Sequence, residues 1–67
     1  MLRVKLLRFQ DDTEYAMDIK HDESLENGLK KFNDFRGPDN QIVKLMNEHH
    51  QVIPLSYRVK RNMTFYF

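Results

Sequence analysis

Residues 22–37 read DESLENGLKKFNDFRG, and their periodicity decides how the rest of the chain is read. Leu25, Leu29, Phe32 and, less centrally, Phe35 recur at three- and four-residue spacing, the pattern of a helix with one apolar face. Asp22 or Ser24 supplies an N-cap, and Glu23 and Glu26 suit the positive end of the helix dipole. Lys30, Lys31 and Arg36 suit the other pole. Gly37 stands where a left-handed C-cap belongs, and Pro38 cannot continue the helix. Gly28 is the discord, because a mid-helix glycine costs about 1 kcal/mol against alanine. Its use would be to let the helix approach a neighbouring element closely.

On either side the period changes to two. In MLRVKLLRF (1–9), Leu2, Val4 and Leu6 alternate with Arg3 and Lys5, a strand with one apolar face. QDDT (10–13) is a polar loop of hairpin length. EYAMDIKH (14–21) resumes the alternation with Tyr15, Met17 and Ile19, so the first 21 residues form a β-hairpin. After the helix, QIVKLM (41–46) is a short β-rich run, NEHHQ (47–51) a polar turn and VIPL (52–55) a strand that Pro54 marks as an edge or ends. SYRVKRN (56–62) connects, with Tyr57 and Val59 as apolar anchors. MTFYF (63–67) alternates Met63, Phe65 and Phe67 against Thr64 and Tyr66.

The predicted order is β-β-α-β-β-β, an α+β class in which one helix covers one mixed sheet. A strand as apolar as the last belongs in the middle of that sheet. Beside the first strand it buries Phe65 and Phe67 under Leu29 and Phe32, which accounts for a chain whose last three residues are all aromatic.

Composition sets the limits. The 67 residues make one domain, 1–67, with a thin core and a net stability of about 3–5 kcal/mol. There is no cysteine, so no disulfide framework or thiolate metal site supports it, and an intracellular, cytoplasmic setting is expected. Eleven Lys/Arg against ten Asp/Glu leave a charge of +1, evenly mixed, which is not the footprint of a nucleic-acid-binding domain. No apolar run approaches the roughly 20 residues of a membrane span, and the charged start is no signal sequence.

The layout resembles ubiquitin and the wider ubiquitin-like (β-grasp) superfamily over essentially the whole chain. Residues 22–37 look like that family's capped helix in the Leu25-Glu26-Asn27 opening and the closing glycine. SYRVKRNMTFYF looks like its last connector and strand, with Tyr57 and Val59 in the places of a buried tyrosine and isoleucine, and Phe65 and Phe67 in the places of core leucines. Conjugated and sulfur-carrying members need a flexible tail ending in Gly-Gly. This chain has glycine only at 28 and 37 and stops on Phe67, so the resemblance implies a non-conjugated member, with a truncated carrier as the alternative.

Catalytic chemistry finds no home in these residues. His49-His50, with Glu48 and His21, is the only cluster of metal-ligand type, and adjacent turn residues read as solvated histidines rather than ligands. Asp11 and Asp12 lack a partner base and read as loop residues, and no triad, nucleophile elbow or phosphate loop appears. No enzyme activity, metal or cofactor is expected. Arg3, Lys5 and Arg8 would merge with Arg58, Lys60 and Arg61 into a basic face if the first and last strands are neighbours, with Tyr66 on the same outer side. The bland alternative is an ordinary charged, solvated sheet face. Leu7 and Phe9 break the alternation, either capping the core at the hairpin end or standing as an exposed anchor. Leu7 and Phe9, with Ile42 or Met46 and with Tyr66, would build an apolar recognition patch different from that of ubiquitin. The expected role is a protein-interaction module or small regulatory or inhibitory subunit that binds a partner protein through Arg3, Lys5, Arg58, Lys60 and Tyr66, with Leu7 and Phe9 at the margin. Single-stranded nucleic-acid binding is the alternative.

Overall fold

A computed structural model describes all of Met1–Phe67. The first two strands, β1 (Leu2–Leu7) and β2 (Glu14–Ile19), pair antiparallel from Leu2↔Ile19 to Leu7↔Glu14. Their alternation separates the faces as read: Val4, Leu6 and Ile19 are fully buried and Met17 nearly so, while Arg3, Lys5, Glu14 and Asp18 face water. Asp12 takes a left-handed φ of 58° in the connecting loop, where its N–H donates to the Arg8 carbonyl at 2.9 Å. A short polar side chain tolerates that conformation better than most.

Two-residue β3 (Glu23–Ser24) leads directly into helix α1 (Leu25–Arg36). Ser24 is the N-cap: its Oγ accepts the Asn27 N–H at 3.3 Å. The two preceding helical donors are satisfied by the distant connector, Leu25 N–H by the Tyr57 carbonyl and Glu26 N–H by the Leu55 carbonyl, both at 2.9 Å. Three of the four N–H groups that a helix start leaves unpaired are thus accounted for. At the other end Gly37 has φ 82° and ψ 168°, which is not the left-handed cap expected but the mirror-extended region that essentially only glycine enters. The last carbonyls are instead met by side chains: Gln41 Nε2 donates to Asn33 O and Gly37 O, and Asn40 Nδ2 to Arg36 O.

Leu25 and Leu29 are buried and Phe32 half-buried, but Phe35 is 92% exposed. At 3.6 residues per turn it falls about 80° from Leu25, outside the stripe. Asn33 is buried instead, and for a reason no apolar pattern carries. Its Oδ1 accepts the Ile42 N–H and its Nδ2 donates to the Ile42 carbonyl, both at 2.9 Å. One side chain thus does for Ile42 what a neighbouring strand would do, and the flanking Gln41, Val43 and Lys44 are exposed to water. The expected run 41–46 therefore contracts to β4 (Leu45–Met46). A 3₁₀ turn, Pro38–Asn40, separates it from the helix.

Beyond β4, a turn in which His50 has φ 62° leads to β5 (Val52–Ile53), which ends before Pro54. The connector contains β6 (Arg58–Val59), paired antiparallel with β3. The last strand, β7 (Met63–Tyr66), runs parallel to β1 with Leu6↔Phe65 in register and antiparallel to β4 through Met46↔Tyr66. The main sheet is therefore mixed, in the order β2-β1-β7-β4-β5, with one helix packed on it. Along the chain the elements run β-β-β-α-β-β-β-β rather than the expected β-β-α-β-β-β, because β3 and β6 form a separate two-stranded ribbon at the helix start. Two-residue pairings like this leave no periodic trace.

The core joins both sides: Val4, Leu6, Ile19, Leu25, Leu45 and Val59 are fully buried, with Leu29, Phe65, Met17 and Ile42 nearly so. Phe65 occupies the central strand as expected. Phe67 is half-buried and continues the ladder past β7, its N–H donating to the Leu7 carbonyl at 2.9 Å and its carbonyl accepting the Phe9 N–H at 2.8 Å. Tyr57, matched by the family resemblance to a buried tyrosine, is 40% exposed. Its ring stands edge-on to Phe65, and its hydroxyl reaches the Met63 sulfur at 3.5 Å. Val59 alone anchors the connector inside.

Gly28 explains itself on packing. A Cβ built there would lie 2.8 Å from Ile19 Cδ1 and 3.3 Å from Ile19 Cγ1. The helix rests on β2 so closely that there is no room for a methyl group.

Candidate functional site

The helix covers one face of the sheet, and the other is open to solvent. Strand register fixes what that open face presents, because residues opposite one another on adjacent strands share a face. One row runs Glu14–Leu7–Tyr66–Met46–Val52, crossing β2, β1, β7, β4 and β5 in turn. Four of its five members are apolar or aromatic: Leu7, Tyr66 and Met46 are half-buried and Val52 is 60% exposed. Across four strands spaced by ~4.8 Å this apolar segment is about 14 Å long. Phe9 extends it. Its ring stacks on Tyr66 with centroids 5.2 Å apart and on His50 at 3.8 Å, nearly parallel in both cases.

The next rows are polar. Ala16, Lys5 and Thr64 lie side by side, then Asp18 and Arg3. Arg3 Nε is 3.5 Å from Asp18 Oδ1 and Lys5 Nζ 3.4 Å from Glu14 Oε1. More than half of each of these side chains is exposed, so the pairs contribute at most about 1 kcal/mol each. They neutralise the strip rather than leave it basic. Beside the apolar row, Arg3, Lys5, Asn62, Met63 and Thr64 line a shallow depression of about 320 Å³.

Arg58 and Lys60, expected on this face, are not on it. Arg58 belongs to the β3–β6 ribbon, where its Nη1 donates to the Asp22 carbonyl at 2.8 Å, and Lys60 Nζ lies 4.0 Å from Asp22 Oδ1. The reason is the ribbon itself, which takes residues 58–59 to Glu23–Ser24 before the chain turns back into the main sheet. Arg8 also leaves the face, since its Nη2 donates to the Tyr15 hydroxyl at 2.9 Å. The expected continuous basic face is therefore two separate clusters, each interleaved with carboxylates. Ile42 is buried and contributes nothing outside.

Of the expected residues, the sheet brings together Arg3, Lys5, Leu7, Phe9 and Tyr66. Met46 joins them, and Val52 and His50 were not foreseen. Within the two-residue strands β4 and β5, which residue faces out depends on register with β7, and the sequence does not give it. The histidines do not converge: His49 Nε2 is 3.5 Å from Glu48 Oε1, His50 stacks on Phe9, and His21 lies in the turn after β2. No group of three or more His, Asp or Glu side chains comes together as a metal site would require. No helix is long and apolar enough to cross a membrane.

Comparison with protein-family models, with curated proteins and with solved structures finds no match for this chain.

Proposed function

We propose that the chain is a non-catalytic, ubiquitin-like (β-grasp) interaction module of the cell interior that binds a partner protein through the open face of its sheet. The observation that carries this reading is the in-register row Leu7–Tyr66–Met46–Val52 with Phe9 stacked on Tyr66. Cross-strand pairs in such a row stabilise the sheet by roughly 0.2–1 kcal/mol each. With Val52 60% exposed, the row also offers the apolar centre that a docking surface needs inside a polar rim. Here the centre is Tyr66 and the rim is the pairs Arg3–Asp18 and Lys5–Glu14. Rim charges of both signs orient a partner more than they hold it. The ubiquitin-like assignment draws support from the helix, the parallel pairing of the first and last strands, and the central position of the latter. The absence of cysteine supports the intracellular setting.

The test is affinity capture from the source cells with the wild-type chain and with the double variant Arg3→Glu/Tyr66→Ala. A stoichiometric protein recovered by the first and lost by the second is the expected result. Capture that is unchanged in the variant would place the binding surface elsewhere. Recovery of nucleic acid alone, with steep loss on adding salt, would favour the single-stranded nucleic-acid reading.

A further inference from the structure

At the end of the sheet where β1 hands over to β2, two arginines from distant segments converge on one tyrosine. Arg8, just past β1, donates from Nη2 to the Tyr15 hydroxyl at 2.9 Å. Arg36, in the last turn of α1, lies over the face of the same ring, its Cζ 4.6 Å from the centroid. That guanidinium is also 5.6 Å from the Phe32 ring centroid and 6.0 Å from that of Phe67, and its Nε is fastened to the Asn40 carbonyl at 2.6 Å. Arg8, Tyr15, Arg36 and Asn40 line a concavity of about 240 Å³.

The charges there are not balanced. Asp11 is the one carboxylate paired with either arginine, with Oδ1 3.3 Å from Arg8 Nε, and Arg36 has no carboxylate partner. Hydrogen bonds from Thr13, with the Arg8 charge adding to them, hold the Asp11 carboxyl below its usual range, so it stays ionised. Even so, Asp11 is too poorly aligned to accept a hydrogen bond from Arg8 Nε, which is closed to solvent and has no other acceptor. A guanidinium carries five N–H donors. Nη2 of Arg8 and Nε of Arg36 have well-aligned protein acceptors, and the Arg36 guanidinium also lies within reach of the Tyr15 hydroxyl. Two like charges are therefore held by packing beside one hydroxyl, with most of their donors free and a net positive charge. The Arg36 guanidinium first, then the Arg8 charge, lower the affinity of the Tyr15 hydroxyl for its proton.

We propose that Arg8, Arg36 and the Tyr15 hydroxyl form a binding site for a phosphate-type oxyanion. Arginine is the side chain best matched to such groups, through two parallel N–H donors. The stack on Tyr15 and the bond to Asn40 fix the plane of Arg36 before any ligand arrives. Tyr15 accepts from Arg8, which leaves its own proton to donate. Donors from three side chains line one concavity, which suits a tetrahedral anion with several acceptor oxygens. The site is separate from the Leu7–Tyr66 row and stands or falls independently of it.

The probe is inorganic phosphate, titrated into the ¹⁵N-labelled chain while the Arg8 and Arg36 Nε–H and the Asn40 amide signals are followed. Saturable shifts confined to these groups are expected, together with a rise in unfolding temperature. Arg36→Gln should weaken binding about tenfold or more, the worth of a charged hydrogen bond. Arg36→Lys, which keeps the charge but not the fork, should fall between Arg36→Gln and wild type. Arg36 also covers three rings, so Arg8→Gln and Tyr15→Phe provide the same test with less disturbance, and both should weaken binding. Shifts that grow without saturating and spread over surface lysines would overturn the site. Acetate binding as tightly as phosphate would overturn the phosphate assignment, and an affinity unchanged in Arg8→Gln and Tyr15→Phe would overturn the residues.

Discussion

Gly28→Ala is the substitution whose outcome the packing of α1 on β2 decides. On an open helix surface it would stabilise the chain by about 1 kcal/mol, because alanine is the better helix former. Here the new Cβ would meet Ile19 Cδ1 at 2.8 Å, against an ordinary carbon–carbon separation of about 3.5–4.0 Å. Ile19 is fully buried, so its δ-methyl has only packed neighbours to move into. Overpacking of this kind costs roughly 1–3 kcal/mol, which exceeds the gain in propensity and leaves a net loss of about 1 kcal/mol. Ile19→Val removes the clashing atom and alone costs about 0.5–1.5 kcal/mol. In that background Gly28→Ala should turn stabilising, because its methyl fills the space that Cδ1 left. The double-mutant cycle should therefore show a favourable coupling of about 1–2 kcal/mol, read from urea midpoints of the four proteins at 25 °C. If Gly28→Ala stabilises the wild type, or the two substitutions simply add, the helix does not lie as close to β2 as described.

Substitutions at three further positions probe the frame. Asn33→Ala strips both hydrogen bonds from Ile42 and should cost about 2–4 kcal/mol, visible as near-complete loss of cooperative urea unfolding. Asn33→Asp should also destabilise, because it sets a carboxylate oxygen against the Ile42 carbonyl. Gly37→Ala has open space for its methyl but the wrong backbone, so about 1–2 kcal/mol of strain should appear as a lowered midpoint with an unchanged slope. Glu23 accepts the Lys20 N–H at 3.0 Å and pairs with Lys31 Nζ at 3.1 Å; these, the first foremost, hold its carboxyl below the usual 4.5. A depressed folded-state pKa stabilises above the unfolded value and is lost as pH falls through the folded one. Wild-type stability should therefore drop as pH goes below about 4.5, and Glu23→Gln should be less stable at neutral pH and show a shallower acid slope.

What the sequence disclosed and what it withheld divide along the length of the signal. Six-residue β1 and β2 and twelve-residue α1 carry enough repeats to be read from period alone. The central strand was legible because its composition tolerates no other place. The β3–β6 ribbon was not, since two residues have no period. That omission misplaced Arg58 and Lys60, which follow the ribbon to Asp22 instead of the sheet face. Phe35, expected on the apolar face, is exposed while Asn33 is buried, because side-chain chemistry at Asn33 rather than hydrophobicity decides which flank of the helix is covered. At the candidate site, Leu7, Phe9 and Tyr66 could be named from broken or continued alternation. Their meeting with Met46, Val52 and His50 depends on cross-strand register, which exists only once the sheet is assembled.

The claim that the Leu7–Tyr66–Met46–Val52 row binds a partner protein rests most directly on Tyr66 at its centre. The decisive measurement is the affinity of the captured partner for the wild-type chain and for Tyr66→Ala, by titration calorimetry, with urea unfolding confirming that both chains are folded. A central aromatic anchor should lose at least about tenfold in affinity on truncation. Affinity that is unchanged in Tyr66→Ala, and again in Val52→Ser at the β5 end of the row, would contradict the account.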